Sequence, residues 1–306
     1  MKTSDSTISK AETQFYTWRG YRCAYEAYAP NSTSDESKTP LLLIHPIGVG
    51  LSRRFWDRFI AAWQNSHQDR WLYNADLLGC GESDMPRLAY TPDDWAEQLQ
   101  TFIDQVIQKT VIVIIQGALF PVGIKMVQKQ APVQGLILSG PPAWGIMSKP
   151  TSQNRHRLFW SGLFDTPWGG WFYRYARRQQ FLKNFSIRKL FANPDQVDSQ
   201  WLQMLQNGSQ SFASRYAVFS FLAGFWREDY SQAIASISQP TLVVMGEKAS
   251  SISRDGKGES PQEKIQNYQS ALPNGEGKII PGRNVLPYES TEAFFATIQP
   301  FVEKIS

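Results

Sequence analysis

The run Val111-Ile-Val-Ile-Ile115 is apolar at every one of its five positions and is closed by Gln116-Gly117. A strand with one wet face alternates polar and apolar side chains. An unbroken run of β-branched residues instead predicts a strand buried on both faces, which a parallel sheet covered by helices on either side supplies. Leu41-Leu-Leu-Ile44 repeats the pattern, as do residues 241–245 after Pro240, and residues 70–75, 135–138 and 278–280 read as further strands. Helix signals stand between them. Ser52 can cap a helix running to about residue 64, and Thr91-Pro92-Asp93-Asp94 supplies a cap, an N1 proline and an acidic first turn. Residues 118–130 read as a third helix, and helices are expected after each of the last two strands. Strand and helix in alternation predict an α/β fold with one doubly wound, mostly parallel sheet. Ahead of it, ring-rich residues 14–19 and 21–28 predict an antiparallel pair turning at Gly20, then a polar surface loop over 31–39.

About 90 residues separate the sixth strand from Pro240, with helical periodicity and no convincing strand, which is too long for a plain connection. The expected organisation is therefore a core of residues 1–145 and 229–306 with a helical lid, 146–228, inserted after strand six. Residues 250–262, rich in Ser, Gly and charge, read as a loop. At 306 residues and 42% hydrophobic content the chain can bury a large core. Its 31 basic and 27 acidic residues are not the excess of a nucleic-acid binder. Cys23 and Cys80 match no disulfide framework or metal spacing, so neither metal nor cofactor is expected. The polar start MKTSDSTISKAETQ has no apolar signal segment, and no stretch approaches a spanning helix. These features imply a cytoplasmic protein, soluble or attached to membranes only peripherally.

From residue 16 to 302 the chain resembles the α/β-hydrolase superfamily. Leu42-Leu-Ile-His-Pro-Ile-Gly-Val-Gly50 is similar to the His-Gly loop that supplies an oxyanion amide, with Pro46 in place of the usual glycine. Asp76-Leu-Leu-Gly-Cys-Gly-Glu-Ser83 resembles the D-x-x-G-x-G-x-S loop after strand four. Pro240-Thr-Leu-Val-Val-Met-Gly246 and Ile280-Pro-Gly282 resemble the strands that precede the catalytic acid and histidine. The wording His45-Pro-Ile-Gly-Val-Gly-Leu-Ser52 also resembles proteins of photosynthetic lineages. The resemblance implies an α/β-hydrolase sheet with a helical lid insertion.

It also implies a catalytic triad, and the residues at those positions do not supply one. The elbow G-x-S-x-G reads Gln116-Gly117-Ala118-Leu119-Phe120. Ala118 occupies the nucleophile position if the helix is aligned from Leu119 onward; a shift of one residue gives Gly117 or Leu119, and none of the three can attack a carbonyl. Ala249 stands where the acid is expected in Gly246-Glu-Lys-Ala249. Val285, or Asn284 in a shifted register, stands where the histidine is expected. The chain holds three histidines, His45, His67 and His156, none of them beyond residue 156, so no histidine can occupy the triad position after strand eight.

Other groups near the strand ends are candidates for the wall of a pocket: His45, Pro46, Ile47 and Gly48 after strand three, and Gln116, Gly117 and Leu119 at the elbow. Trp160 of the lid would close it. His45 can serve as a general base or simply orient its loop. Ser250, Ser251, Arg283, Asn284, Tyr288 and Glu289 follow the last two strands and read first as structural groups; Ser139 has no visible base. Residues 154–192 carry eight Arg or Lys, one acid (Asp165) and eleven rings, among them Phe159, Trp160, Trp168, Trp171 and Tyr173. Such a lid can pack on its own core, lie on an anionic membrane or roof an apolar ligand. The expected function is a non-hydrolytic, hydrolase-like pseudoenzyme that binds an apolar small molecule or acts as a docking scaffold. The alternative is a hydrolase-fold enzyme with non-standard catalytic groups, such as a lyase, isomerase or esterase-like enzyme. No nucleic-acid partner is expected, and the sequence names no protein partner.

Overall fold

The computed structural model describes residues 11–30, 38–66, 70–253, 256 and 258–306. His67, the first ten residues, most of the predicted 31–39 loop and part of the 250–262 loop lie outside the described residues. β1 (Gln14–Trp18) and β2 (Tyr21–Tyr28) form the predicted antiparallel pair. Arg19 and Gly20 both adopt left-handed backbone at φ 49° and 82°, which fits the right-handed twist of a two-residue hairpin. β3 (Leu41–Ile44), β4 (Leu72–Ala75), β5 (Val111–Gln116), β6 (Val133–Ser139), β7 (Thr241–Gly246) and β8 (Gly275–Ile280) follow. They join in one eight-stranded sheet of order β1-β2-β4-β3-β5-β6-β7-β8, in which β2 is antiparallel to β4 and all pairs from β4 to β8 are parallel.

The wholly apolar runs owe their composition to two cores. Leu42, Ile44, Val113 and Ile115 point into one hydrophobic cluster, while Leu41, Leu43, Ile112 and Ile114 point into another on the opposite face. α2 (Pro92–Phe102) and α3 (Phe120–Gln128) cover the first face through Trp95, Leu99, Phe120 and Ile124. The second is covered by α1 (Asp57–Asn65), through Phe59 and Trp63, and by the C-terminal helix Thr291–Lys304, through Phe294 and Ile298. Ser52 caps the short 3-10 turn Arg53–Trp56 that leads into α1. α2 opens on a full capping box between Thr91 and Asp94.

Between β6 and β7 the described residues form helices and turns: α4 (Trp144–Met147), α5 (Gln153–Phe159), α6 (Pro167–Ala176), α7 (Gln179–Phe185), α8 (Ser199–Gly208), α9 (Arg215–Ala223) and α10 (Ser231–Ala235). Its side chains reach both cores, Tyr173 and Phe219 the first, Leu182 and Trp201 the second. α11 (Pro261–Ala271), α12 (Leu286–Glu289) and α13 (Thr291–Lys304) complete the chain. No helix among the described residues is long and apolar enough to cross a membrane.

Candidate functional site

The sharp turn from β5 into α3 is the structural centre of the C-terminal sheet edge. Gly117 carries its left-handed backbone, φ 66°, whereas Ala118 sits at φ −78°, ψ 18° in the 3-10 turn Gly117–Leu119. The strained residue of such an elbow is the one that exposes its side chain to substrate. Of the registers the sequence leaves open here, the left-handed backbone falls on Gly117 and not on Ala118. A Cβ built on Gly117 would have no heavy atom within 4 Å, so the place a nucleophile would occupy is open space. Both Gly117 and Ala118 are half-buried, and Leu119 is fully buried in the core.

Gln116 and Ser139 are register partners at the ends of β5 and β6. Gln116 Nε2 donates to Asn284 O at 2.7 Å. Gln116 Oε1 and Ser139 Oγ are buried with no hydrogen-bond partner among the described residues, a costly state for two polar atoms. Two uncharged polar groups with unused hydrogen-bonding capacity thus stand at adjacent register positions, Gln116 being the residue before Gly117.

His45 is wholly buried and both ring nitrogens are engaged. Nδ1 donates to Pro46 O at 2.9 Å, and Nε2 accepts from Leu77 N at 3.1 Å. Burial holds its pKa below the ordinary imidazole value. A neutral ring with no free lone pair orients the loops after β3 and β4 and offers no general base. Pro46, half-buried, brings no N–H, and Ile47 is 8% exposed beside it. Gly48 starts a tight turn in which Leu51 N donates to Gly48 O at 3.1 Å.

The loop after β4 is a charge hub. Asp76 accepts from Arg53 N and Glu82 N, each at 2.8 Å, and pairs with the buried Arg53 guanidinium. Arg53 also meets Glu26 and Glu82. Ser83 Oγ donates to Asp76 O and receives Ala24 N, both at 2.9 Å. A Cβ on Gly81, at φ 56°, would lie 2.1 Å from Asp76 Oδ2, so the D-x-x-G-x-G-x-S spacing lets the chain wrap its own carboxylate. The motif is structural in this chain, a role that its sequence alone does not reveal.

After β7, Ala249 is 9% exposed, and Ser250 Oγ accepts from Arg283 Nε and Nη2 at 3.0 and 2.8 Å. After β8, Val285 is 3% exposed in the second core. The Asn284 side chain bridges the two loops and the inserted helices, donating to Lys189 O and Ser250 O and accepting from Ser250 N. Glu289 accepts from Arg283 N and Ala192 N, and Tyr288 OH donates to Asp198 Oδ1 at 3.3 Å. These polar residues tie the segment 188–198 to the sheet edge. His156 lies in α5, buried, with its ring 6.2 Å from that of Phe225.

Trp160 is also buried, against Tyr216 and Phe225. A cleft of about 320 Å³ is lined by Tyr216 and by Arg87, Phe164, Trp171, Arg174, Phe212 and Arg215 among others. A second cleft of about 380 Å³ lies beside Arg53, Arg54, Glu82 and Tyr288. Neither takes its lining from the elbow or from the loop after β3. Among the described residues no three His, Cys, Asp or Glu side chains converge to hold a metal.

The fold is shared with solved hydrolases. An esterase from Thermogutta terrifontis is 19% identical with a TM-score of 0.71, covering 96% of this chain and 99% of its own. A serine hydrolase of carbazole degradation is 16% identical with a TM-score of 0.72 over 96% and 100% of the two chains. An enol-lactonase from Burkholderia xenovorans LB400 is 13% identical with a TM-score of 0.69 over 95% and 100%. No curated protein matches the sequence significantly. A family model described as the alpha/beta hydrolase family matches residues 41–297, well over half of the sequence, and together with the sheet order and the β5–α3 elbow it leads to one conclusion: the chain belongs to the alpha/beta hydrolase family.

Proposed function

We propose that the chain is a non-hydrolytic member of its family, a pseudoenzyme that binds a small, largely apolar molecule over the elbow. The observation that carries this reading is the bare apex: Gly117 holds the strained backbone of the turn with open space where a nucleophile's side chain would stand. Two further facts support it. Ala249 and Val285 carry no proton-transfer group at the positions the family uses for acid and base. The buried imidazole near the elbow, His45, spends both nitrogens on backbone partners. The orphaned Gln116 Oε1 and Ser139 Oγ would receive one polar group of the ligand, its donor and acceptor being neutral.

Mass spectrometry of solvent extracts from the full chain, purified at low salt from its own host, tests the reading. One apolar molecule near stoichiometry is expected. A bare protein carrying constant protein partners would overturn ligand binding in favour of a docking scaffold. The same orphaned pair favours a second reading, an enzyme with non-standard groups. Turnover of the extracted molecule that is lost in Ser139→Ala while binding persists would establish that alternative.

A further inference from the structure

We propose that the outer face of α5 and α6 docks on the surface of an anionic lipid bilayer, independently of what the elbow binds. α6 is apolar on two opposite sides. Gly169, Gly170, Tyr173 and Ala176 are buried against the protein, and a Cβ on Gly169 would lie 2.0 Å from Phe164 O, so backbone contact fixes this inner side. The outer side presents Trp168, Trp171, Phe172 and Tyr175 at i, i+3, i+4 and i+7, exposed by 68%, 58%, 44% and 52%. A helix already packed through one stripe has no internal use for a second stripe of rings.

In the preceding chain, Leu158 and Phe159 of α5 and Leu163 of the turn 160–164 are exposed by 70%, 46% and 48%. Seven of the twelve large hydrophobic side chains exposed among the described residues thus fall between 158 and 175. So concentrated an apolar surface marks an interface.

Charge identifies the occupant. Arg155 and Arg157 of α5, Arg174 of α6 and Arg178 just after it are exposed as well. The one acid from 154 to 192, Asp165, is held by Arg87 through two hydrogen bonds of 2.9 and 3.0 Å. A second copy docking by two-fold symmetry would bring this basic patch against itself. An anionic headgroup layer complements it, with Trp and Tyr at headgroup depth and arginine stems lying along the acyl boundary. The cleft beside Trp171, where the Arg174 and Arg215 guanidiniums lie 5.1 and 4.1 Å from the Phe212 ring, can take a headgroup phosphate at the edge of the patch.

The full chain is mixed with phosphatidylcholine vesicles made with and without phosphatidylglycerol, and binding is read by co-sedimentation and by quenching of Trp fluorescence with brominated acyl chains. Binding to the anionic vesicles, quenching and weakening by added salt are expected. Trp168→Ala with Trp171→Ala should lower partitioning by about tenfold or more, and Arg155→Glu with Arg157→Glu should remove the preference for phosphatidylglycerol. All four residues are exposed, so unchanged circular dichroism and thermal midpoint will show that the variants are folded. The proposal is overturned by failure to sediment with either vesicle or by retention of binding in the tryptophan double variant. Concentration-dependent dimerisation that this variant abolishes would also overturn it, assigning the surface to a second copy.

Discussion

A single left-handed glycine carries the proposed loss of chemistry at the elbow. Gly117 at φ 66° sits where a hydrolase strains its nucleophile, and the flat apolar wording of Gln116-Gly-Ala-Leu-Phe120 contains no serine to mark the register. For that reason the sequence leaves the register open between Ala118 and Gly117. His45 is the second decisive residue. Because burial lowers its pKa, the unfolded chain takes up the proton first as the pH falls. Its contribution to stability is complete above the free imidazole value, about pH 6.5, and is lost below it, by at most about 1.4 kcal/mol per pH unit for one proton. His156, lowered by burial and by Arg155 and Arg227, acts in the same direction. His45→Gln should therefore flatten part of the stability loss between about pH 7.5 and 5.5, measured by urea unfolding, whereas an unchanged slope would show that His45 is not held neutral by the fold.

At the scale of elements, legibility followed burial. β3, β5 and β7 are buried at every position, so their composition announced a two-faced sheet. α2 announced itself by its cap: Asp94 N donates to Thr91 Oγ1 at 3.3 Å and Thr91 N donates to Asp94 Oδ2 at 3.0 Å. Thr91→Ala should cost about 1 kcal/mol, seen as a lower urea midpoint with an unchanged m-value; no shift would mean that packing of Trp95 and Leu99 alone holds the helix start. β8 was only half legible. It begins at Gly275 rather than Lys278, and its first residues, Gly-Glu-Gly, have no strand-like pattern because β8 is an edge strand whose side chains are largely accessible. Lys304 Nζ pairs with Glu276 at 2.7 Å along that edge, and such charge discourages edge-to-edge pairing with another sheet.

Over the whole molecule, the sheet order and two-sided core could be read from the alternation of elements, but the way the inserted helices are fastened could not. Arg283, Asn284 and Glu289 read first as structural groups, and the partners they bind, Arg188, Lys189 and Ala192, lie across a long gap in sequence. Pattern along the chain carries no signal for such long-range ties. The buried Arg53–Asp76–Glu26 hub is similar, since a spacing motif gives no sign of the partners that neutralise it. The resulting molecule has the alpha/beta hydrolase fold, and the proposal is that the ends of its strands hold no hydrolytic site. The most direct test is exposure of the full chain to a serine-directed fluorophosphonate, read by intact mass, alongside p-nitrophenyl butyrate turnover by the wild type and by Gly117→Ser. No adduct on the wild type is expected, with turnover at the buffer rate in both proteins, because a restored hydroxyl still has no base. A stoichiometric adduct on the wild type, or esterase-like turnover by either protein, would contradict the proposed absence of a hydrolytic site.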